Sequence, residues 1–186
     1  ILKKEEDYNS NDIINPLPSL NLGILKKAIN IDSIKSIKKS FILFNSSIEE
    51  RKRVEDSIKY FKNSNLGERG FKLCIAGKMH KTKYCQDISE LCSGCNNILI
   101  LDYVSELEKV WLFLNASLLI STSINEGFGV PILDAASIDL PVLATKLASY
   151  EEIKKITKIN KINLLKDNSF LSWKKYLDNI QPFNFN

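Results

Sequence analysis

No apolar run in this sequence approaches the roughly 20 residues that a membrane-spanning helix needs, so no helical span is expected. A secretory leader is missing too, because Ile1-Leu2 is followed at once by Lys3-Lys4-Glu5-Glu6-Asp7. Together these imply a cytoplasmic chain. An initiating methionine is also missing, and the single Met is Met79, which suggests a piece of a longer polypeptide. No G-x-G-x-x-G follows the first apolar strand, which argues against a dinucleotide-dependent oxidoreductase. Strong charge of either sign is absent: the net charge is +4. Nucleic-acid binding would call for a basic face or stripe, and none is expected here. Lysines do gather at Lys26-Lys27, Lys35 to Lys39 and Lys154 to Lys161. These read as solvated helix faces, with peripheral contact to an anionic membrane surface as the alternative.

Cysteine is sparse, with 4 residues, Cys74, Cys85, Cys92 and Cys95. Cys92-Ser93-Gly94-Cys95 has metal-ligand spacing, and His80 and Cys85 lie just upstream. A structural zinc site usually shows two clean pairs of ligands. Here Cys74 falls in an expected strand and Cys85 in an expected helix, so reduced thiols are the preferred reading.

The 186 residues suit one domain with an extension, and a hydrophobic fraction of 44% is ample for a packed core. Residues 1–40 are rich in Asn, Ser, Lys and Ile, with Pro16 and Pro18 interrupting a weak pattern. They are expected to form a linker or irregular arm, with a short helix near Leu22 to Ile29. A regular alternation then occupies residues 41–186. Phe41 to Phe44, Phe71 to Ala76, Asn97 to Leu101, Ser117 to Ser121 and Pro141 to Ala144 are short apolar runs, expected as buried strands. Helical spacing is expected over Glu49 to Phe61 and Lys81 to Cys92, and from Ser105, where Glu108 completes a capping box. Pro131 suits the first turn of a further helix. The tail should hold one or two more, one of them around Trp173 to Ile180. This alternation predicts an α/β fold, a Rossmann-like doubly wound parallel sheet. Ligands of such sheets bind outside the carboxyl ends of the strands.

Three loops must open on that edge: Ser46 to Arg53, Gly77-Lys78, and Ser123 to Pro131. In the third, Gly127 and Gly129 flank Phe128 and a proline-started helix follows. Glycines let backbone amides approach a ligand, and the helix start adds free N–H groups and partial positive charge. That combination suits phosphate. Glu126 and Asp134 bracket it, and ionised carboxylates only accept hydrogen bonds. They therefore suit hydroxyl pairs on either side of the phosphates, the layout of a nucleoside diphosphate sugar. Arg51 and Lys52, in the first loop, could neutralise a diphosphate, although Glu-Glu-Arg-Lys-Arg is also an ordinary helix start.

Glu126-Gly127-Phe128-Gly129-Val130-Pro131-Ile132-Leu133-Asp134-Ala135 resembles the E-x7-E signature of glycosyltransferase family 4. Phe41 to Val54, Leu73 to Lys78, Asn97 to Ser105 and Pro141 to Thr145 are similar to that family's segments in the same order. The resemblance implies the C-terminal half of a GT-B glycosyltransferase, whose N-terminal half would carry the acceptor site. By position, Glu126 would meet the donor sugar's hydroxyls, with Lys52 and Arg51 on the diphosphate. Asp134 would meet the ribose diol. The amides around Phe128, Gly129 and Val130, beside Gly127, would hold the distal phosphate. Gly77 and the loop at Asp102-Tyr103-Val104 would line the nucleotide, and Trp173 resembles the tryptophan of the closing helix.

The implied reaction is retaining transfer of a sugar from a GDP- or UDP-sugar to an acceptor hydroxyl, with no cofactor. No Asp-x-Asp pair occurs, so no metal is called for. The sequence departs from the family pattern in having Asp134 instead of glutamate, one methylene shorter, and Ser46-Ser47 in the first loop. These departures favour an alternative, a non-catalytic nucleotide-sugar-binding module. A sugar-nucleotide epimerase is a third possibility, but it would want a histidine across the cleft, and His80 is the only one.

Overall fold

The computed structural model describes residues 40–166 and 169–181, together with Leu20 and Ile37. The helix expected near Leu22 to Ile29 lies outside the described residues. Among those described, six strands alternate with six α-helices. The strands are β1 Phe41–Asn45, β2 Lys72–Ala76, β3 Ile98–Ile100, β4 Leu118–Ser121, β5 Val142–Thr145 and β6 Ile162–Leu165. The helices are α1 Val54–Lys62, α2 Lys83–Cys92, α3 Glu106–Asn115, α4 Val130–Ser137, α5 Ala148–Thr157 and α6 Phe170–Leu177.

All strand pairs are parallel, in the order β3-β2-β1-β4-β5-β6. This is the doubly wound Rossmann-like sheet that the alternation predicts. Because side chains alternate across a strand, continuous apolar runs feed two cores. Phe41 and Leu43 of β1 join α3, α4 and α5 in one layer, with Leu119, Val142 and Ile162. Ile42 and Phe44 join α1, α2 and α6 in the other, with Leu73, Ile75 and Leu118. Leu20 and Ile37 are buried in the first layer, so that core draws on residues from the stretch read as an arm.

Three local features differ from or sharpen the sequence expectations. Glu49 to Phe61 is not one helix. A 3-10 turn over Glu50–Lys52 stops at Arg53, whose φ of 51° is left-handed, and α1 begins only at Val54. The cause is tertiary. The hydroxyl of Thr122, just past β4, reaches the carbonyls of Arg53 at 2.7 Å and Lys52 at 3.1 Å. The amide of Ile124 donates to the carbonyl of Arg51 at 2.9 Å. A continuous helix would have turned all three carbonyls toward its own amides.

Second, β6 is a strand that the sequence pattern did not reveal. It lies at the sheet edge, and only Ile162 of its four residues is buried. Third, the closing helix starts at Phe170, with Ser169 as its cap. Its Trp173 is fully buried and stacks on Tyr60 of α1, ring centroids 4.8 Å apart.

The capping box at Ser105 is present in both directions: the Ser105 hydroxyl accepts from the Glu108 amide, and Glu108 accepts from the Ser105 amide. Ser105→Ala should therefore cost about 1 kcal/mol of stability, read as a lower midpoint in denaturant titration.

Cys74, Cys85, Cys92 and Cys95 are all free thiols. Burial pushes Cys74 up to about 12 and Cys92 up to about 11, so both are protonated at neutral pH.

Candidate functional site

The strand order reverses between β1 and β4, neighbours in the sheet that are far apart in the chain. Loops on either side of such a switch diverge and leave a crevice at the carboxyl edge. The first and third loops meet there.

Lys52 and Glu126 lie at the centre. Lys52 is 5% exposed, and its ammonium is paired with Glu126 Oε1. The Ser123 hydroxyl donates to the same oxygen at 2.9 Å. Arg51 approaches Glu126 Oε2 at 3.5 Å and donates to the Asn125 carbonyl at 3.3 Å. Its Nε is paired with Glu49 at 2.8 Å. Glu126 is thus oriented from three sides, and the left-handed turn at Arg53 is what brings Lys52 inward. A lysine has three N–H donors, so the ammonium can hold Glu126 and still meet a second anion.

Beside this cluster stands the start of α4. Gly129 is its cap residue, with φ 85°, and no side chain caps it. The amides of Phe128, Gly129 and Val130 have no acceptor among the described residues. Phe128 and Val130 are 48% and 40% exposed, whereas a Cβ on Gly129 would lie 2.6 Å from the Tyr150 ring. Only glycine satisfies both the backbone angle and that contact. The Tyr150 hydroxyl lies 2.9 Å from Ser121 Oγ. Burial pushes it up to about 12, with the Glu126 charge adding to the shift, so it stays neutral. The Ser149 hydroxyl donates to the Glu126 carbonyl at 3.3 Å. Tyr150 and Ser149, on α5, were not singled out from sequence, nor were Thr122 and Ser123. Their only signal is a run of hydroxyls at the end of β4 and the start of α5.

The second loop is tied to the third strand's exit. The Gly77 amide donates to the Asp102 carbonyl at 3.1 Å, and the Met79 amide to the Asp102 carboxylate at 2.7 Å. Tyr103 next to it is 78% exposed on this edge. Val104 packs partly against the core.

Asp134 lies deeper than the other charged residues expected at the site. Its side chain is fully buried, paired with Lys109 of α3 at 3.1 Å, and it accepts from the Leu20 amide at 3.2 Å. The resemblance would put a ribose beside this carboxylate.

The family model for "Glycosyl transferases group 1" matches residues 26–180. The chain belongs to this glycosyltransferase family. Solved glycosyltransferase structures share its fold. WaaG, described as involved in lipopolysaccharide biosynthesis, is 19% identical with a TM-score of 0.63, over 88% of this chain and 42% of its own. HepE from Anabaena, solved in complex with UDP and glucose, is 13% identical with a TM-score of 0.68, over 82% of this chain and 42% of its own. The C-terminal domain of the group 1 glycosyltransferase LpcC from Francisella tularensis is 20% identical with a TM-score of 0.61, over 75% of this chain and 74% of its own. This glycosyltransferase chain therefore spans less than half the length of WaaG and HepE and most of the LpcC C-terminal domain. No curated protein matches it. Among the described residues, no helix is long and apolar enough to cross a membrane.

Proposed function

We propose that this chain is the donor-binding half of a retaining glycosyltransferase that uses a GDP- or UDP-sugar. The observation that carries the proposal is the meeting of Lys52, Arg51 and Glu126 beside the open amides of Phe128 to Val130. In the proposed reaction the bond from the sugar's anomeric carbon to the diphosphate breaks, and a bond to an acceptor hydroxyl forms. Negative charge grows on the departing diphosphate. Preorganised amides and Lys52 stabilise it without reorganising, which is the largest rate contribution that such a site supplies. The cationic side chains and the helix start fill the role of a metal, so none is invoked. Glu126 orients the sugar through its hydroxyls, and Tyr103 with the Val104 backbone lines the base. The acceptor and any general base belong to the N-terminal half of a parent chain.

Thermal unfolding with UDP, GDP and their sugars tests this. A bound nucleotide at a hundredfold excess over Kd stabilises by about 2.7 kcal/mol, read as a rise in Tm. Glu126→Ala should lose the sugar nucleotide more than the free diphosphate. Silence toward every nucleotide diphosphate would remove the donor-site assignment. Robust transfer by this chain alone would contradict the need for a second half.

A further inference from the structure

Three consecutive residues at the exit of β4 hold both members of the Lys52–Glu126 pair. The Ser123 hydroxyl donates to the Glu126 carboxylate at 2.9 Å, and the Ile124 amide donates to the Arg51 carbonyl at 2.9 Å. The Thr122 hydroxyl reaches the carbonyls of Lys52 at 3.1 Å and Arg53 at 2.7 Å. It also lies 2.8 Å from the hydroxyl of Ser57 on α1. A hydroxyl carries one hydrogen, and a carbonyl only accepts. The Thr122 hydrogen is therefore committed to the carbonyls, so Ser57 donates to Thr122. Both residues are buried, Ser57 at 0% and Thr122 at 2% exposure. A buried hydroxyl stripped of its partner is costly, which keeps each link of this chain in place.

The chain of hydroxyls ends on a strained turn. Arg53 has a φ of 51°, a left-handed conformation that residues other than glycine rarely adopt. Relaxed to the right-handed region, Arg53 would let the 3-10 turn run on into α1, and Lys52 would lose its inward direction. The Ile124 anchor is made by backbone and survives any side-chain change, whereas the Thr122 anchor is a side chain. We propose that Thr122, oriented by Ser57, is a positioning residue that fixes the Lys52 ammonium beside Glu126, where it meets the diphosphate of the donor. This assignment rests on the donor-site proposal. It adds that the cation of the first loop is set from the exit of β4, by a hydroxyl too deeply buried to touch the ligand itself.

Calorimetry with UDP and GDP compares the unmodified chain with Thr122→Val, similar in shape but without the hydroxyl, and Thr122→Ser, which keeps it. Measured well below its Tm, Thr122→Val should bind about tenfold more weakly, a loss within the range of couplings between neighbouring residues. Thr122→Ser should keep the affinity of the unmodified chain. Tyr176→Phe is the control: it removes a hydroxyl that meets the Asn163 side chain at 2.6 Å, outside the first and third loops, and should leave affinity unchanged. Full affinity in Thr122→Val, even with a lower Tm, would make Thr122 a purely structural residue and overturn the proposal. Equal losses in Thr122→Val and Thr122→Ser, or a matching loss in Tyr176→Phe, would overturn it too, because the Thr122 hydroxyl would then not be the cause. If Thr122→Val fails to fold, Ser57→Ala replaces it, leaving Thr122 in place but unanchored. That variant should also bind both nucleotides more weakly, and full affinity in it would overturn the proposal. If the unmodified chain binds neither nucleotide, the donor-site proposal falls and this one falls with it.

Discussion

Lys52→Met should lower the stability of this chain by about 3 kcal/mol, the lower end of the range for breaking a buried ion pair. The mutation strands the Glu126 carboxylate, whose side chain is 11% exposed, without its buried ammonium partner. The cost stays at the lower end because the Ser123 hydroxyl at 2.9 Å and Arg51 at 3.5 Å still face that carboxylate. Adding Glu126→Gln in the same chain should return most of the loss, since no unpaired charge then remains. Urea titration of the two single variants and the double variant measures this directly. A single-variant loss close to zero would mean that Lys52 and Glu126 are not coupled. Arg51→Met is the contrast. Its side chain is 46% exposed, and exposed pairs contribute about 0–1 kcal/mol. In a two-domain parent enzyme, Lys52→Met should also slow turnover by about 10²–10³-fold, the effect of removing one group that stabilises developing charge.

Gly77→Ala should be the most destabilising single methyl addition at the carboxyl edge. The added Cβ would lie 1.8 Å from the Ser46 carbonyl oxygen, an impossible contact with backbone. Neither partner can step aside. The Ser46 amide is held by the Ala76 carbonyl at 3.1 Å, and the Gly77 amide by the Asp102 carbonyl at 3.1 Å. The exits of β1, β2 and β3 are therefore locked to one another at this glycine. A loss of about 4 kcal/mol is expected, the range reserved for clashes that packing cannot absorb. Gly127→Ala is the control, since a Cβ there meets nothing within 4 Å and should change stability by less than about 0.5 kcal/mol. Thermal unfolding of both variants, side by side, checks the contrast. Equal effects would mean that the close approach at Gly77 relaxes freely.

The parts of this molecule that were legible in its sequence are those that depend on local pattern. Phe41 to Phe44 announces a strand buried on both faces because every residue is apolar, and the two cores take alternate members of it. Ser105 and Glu108 announce a helix start because both halves of the cap are local. Gly127 to Pro131 announces an amide-bearing turn for the same reason. What was not legible depends on residues distant in the chain. Nothing between Glu49 and Phe61 signals a break at Arg53, because the hydroxyl that imposes it belongs to Thr122, 69 residues on. The pairing of Asp134 with Lys109 joins two helices, so spacing within either one could not announce it. β6 was missed because an edge strand needs only one apolar face, and a single buried residue carries too little periodic signal.

The reversal of strand order at β1 has a consequence for how the chain reaches its native state. Lys52 and Glu126 are separated by 74 positions, and everything from α1 to β4 lies between them. The β1–β2–β3 side can assemble from neighbouring segments, whereas the crevice closes only when β4 docks on β1. Contacts that span long stretches of chain come with the largest loop-closure entropy and are slow to form. Interactions absent from the folding transition state act chiefly on the rate of unfolding. A ligand held across this seam should therefore leave the refolding rate nearly untouched and delay the opening of the molecule, a bolt fitted after the door has shut.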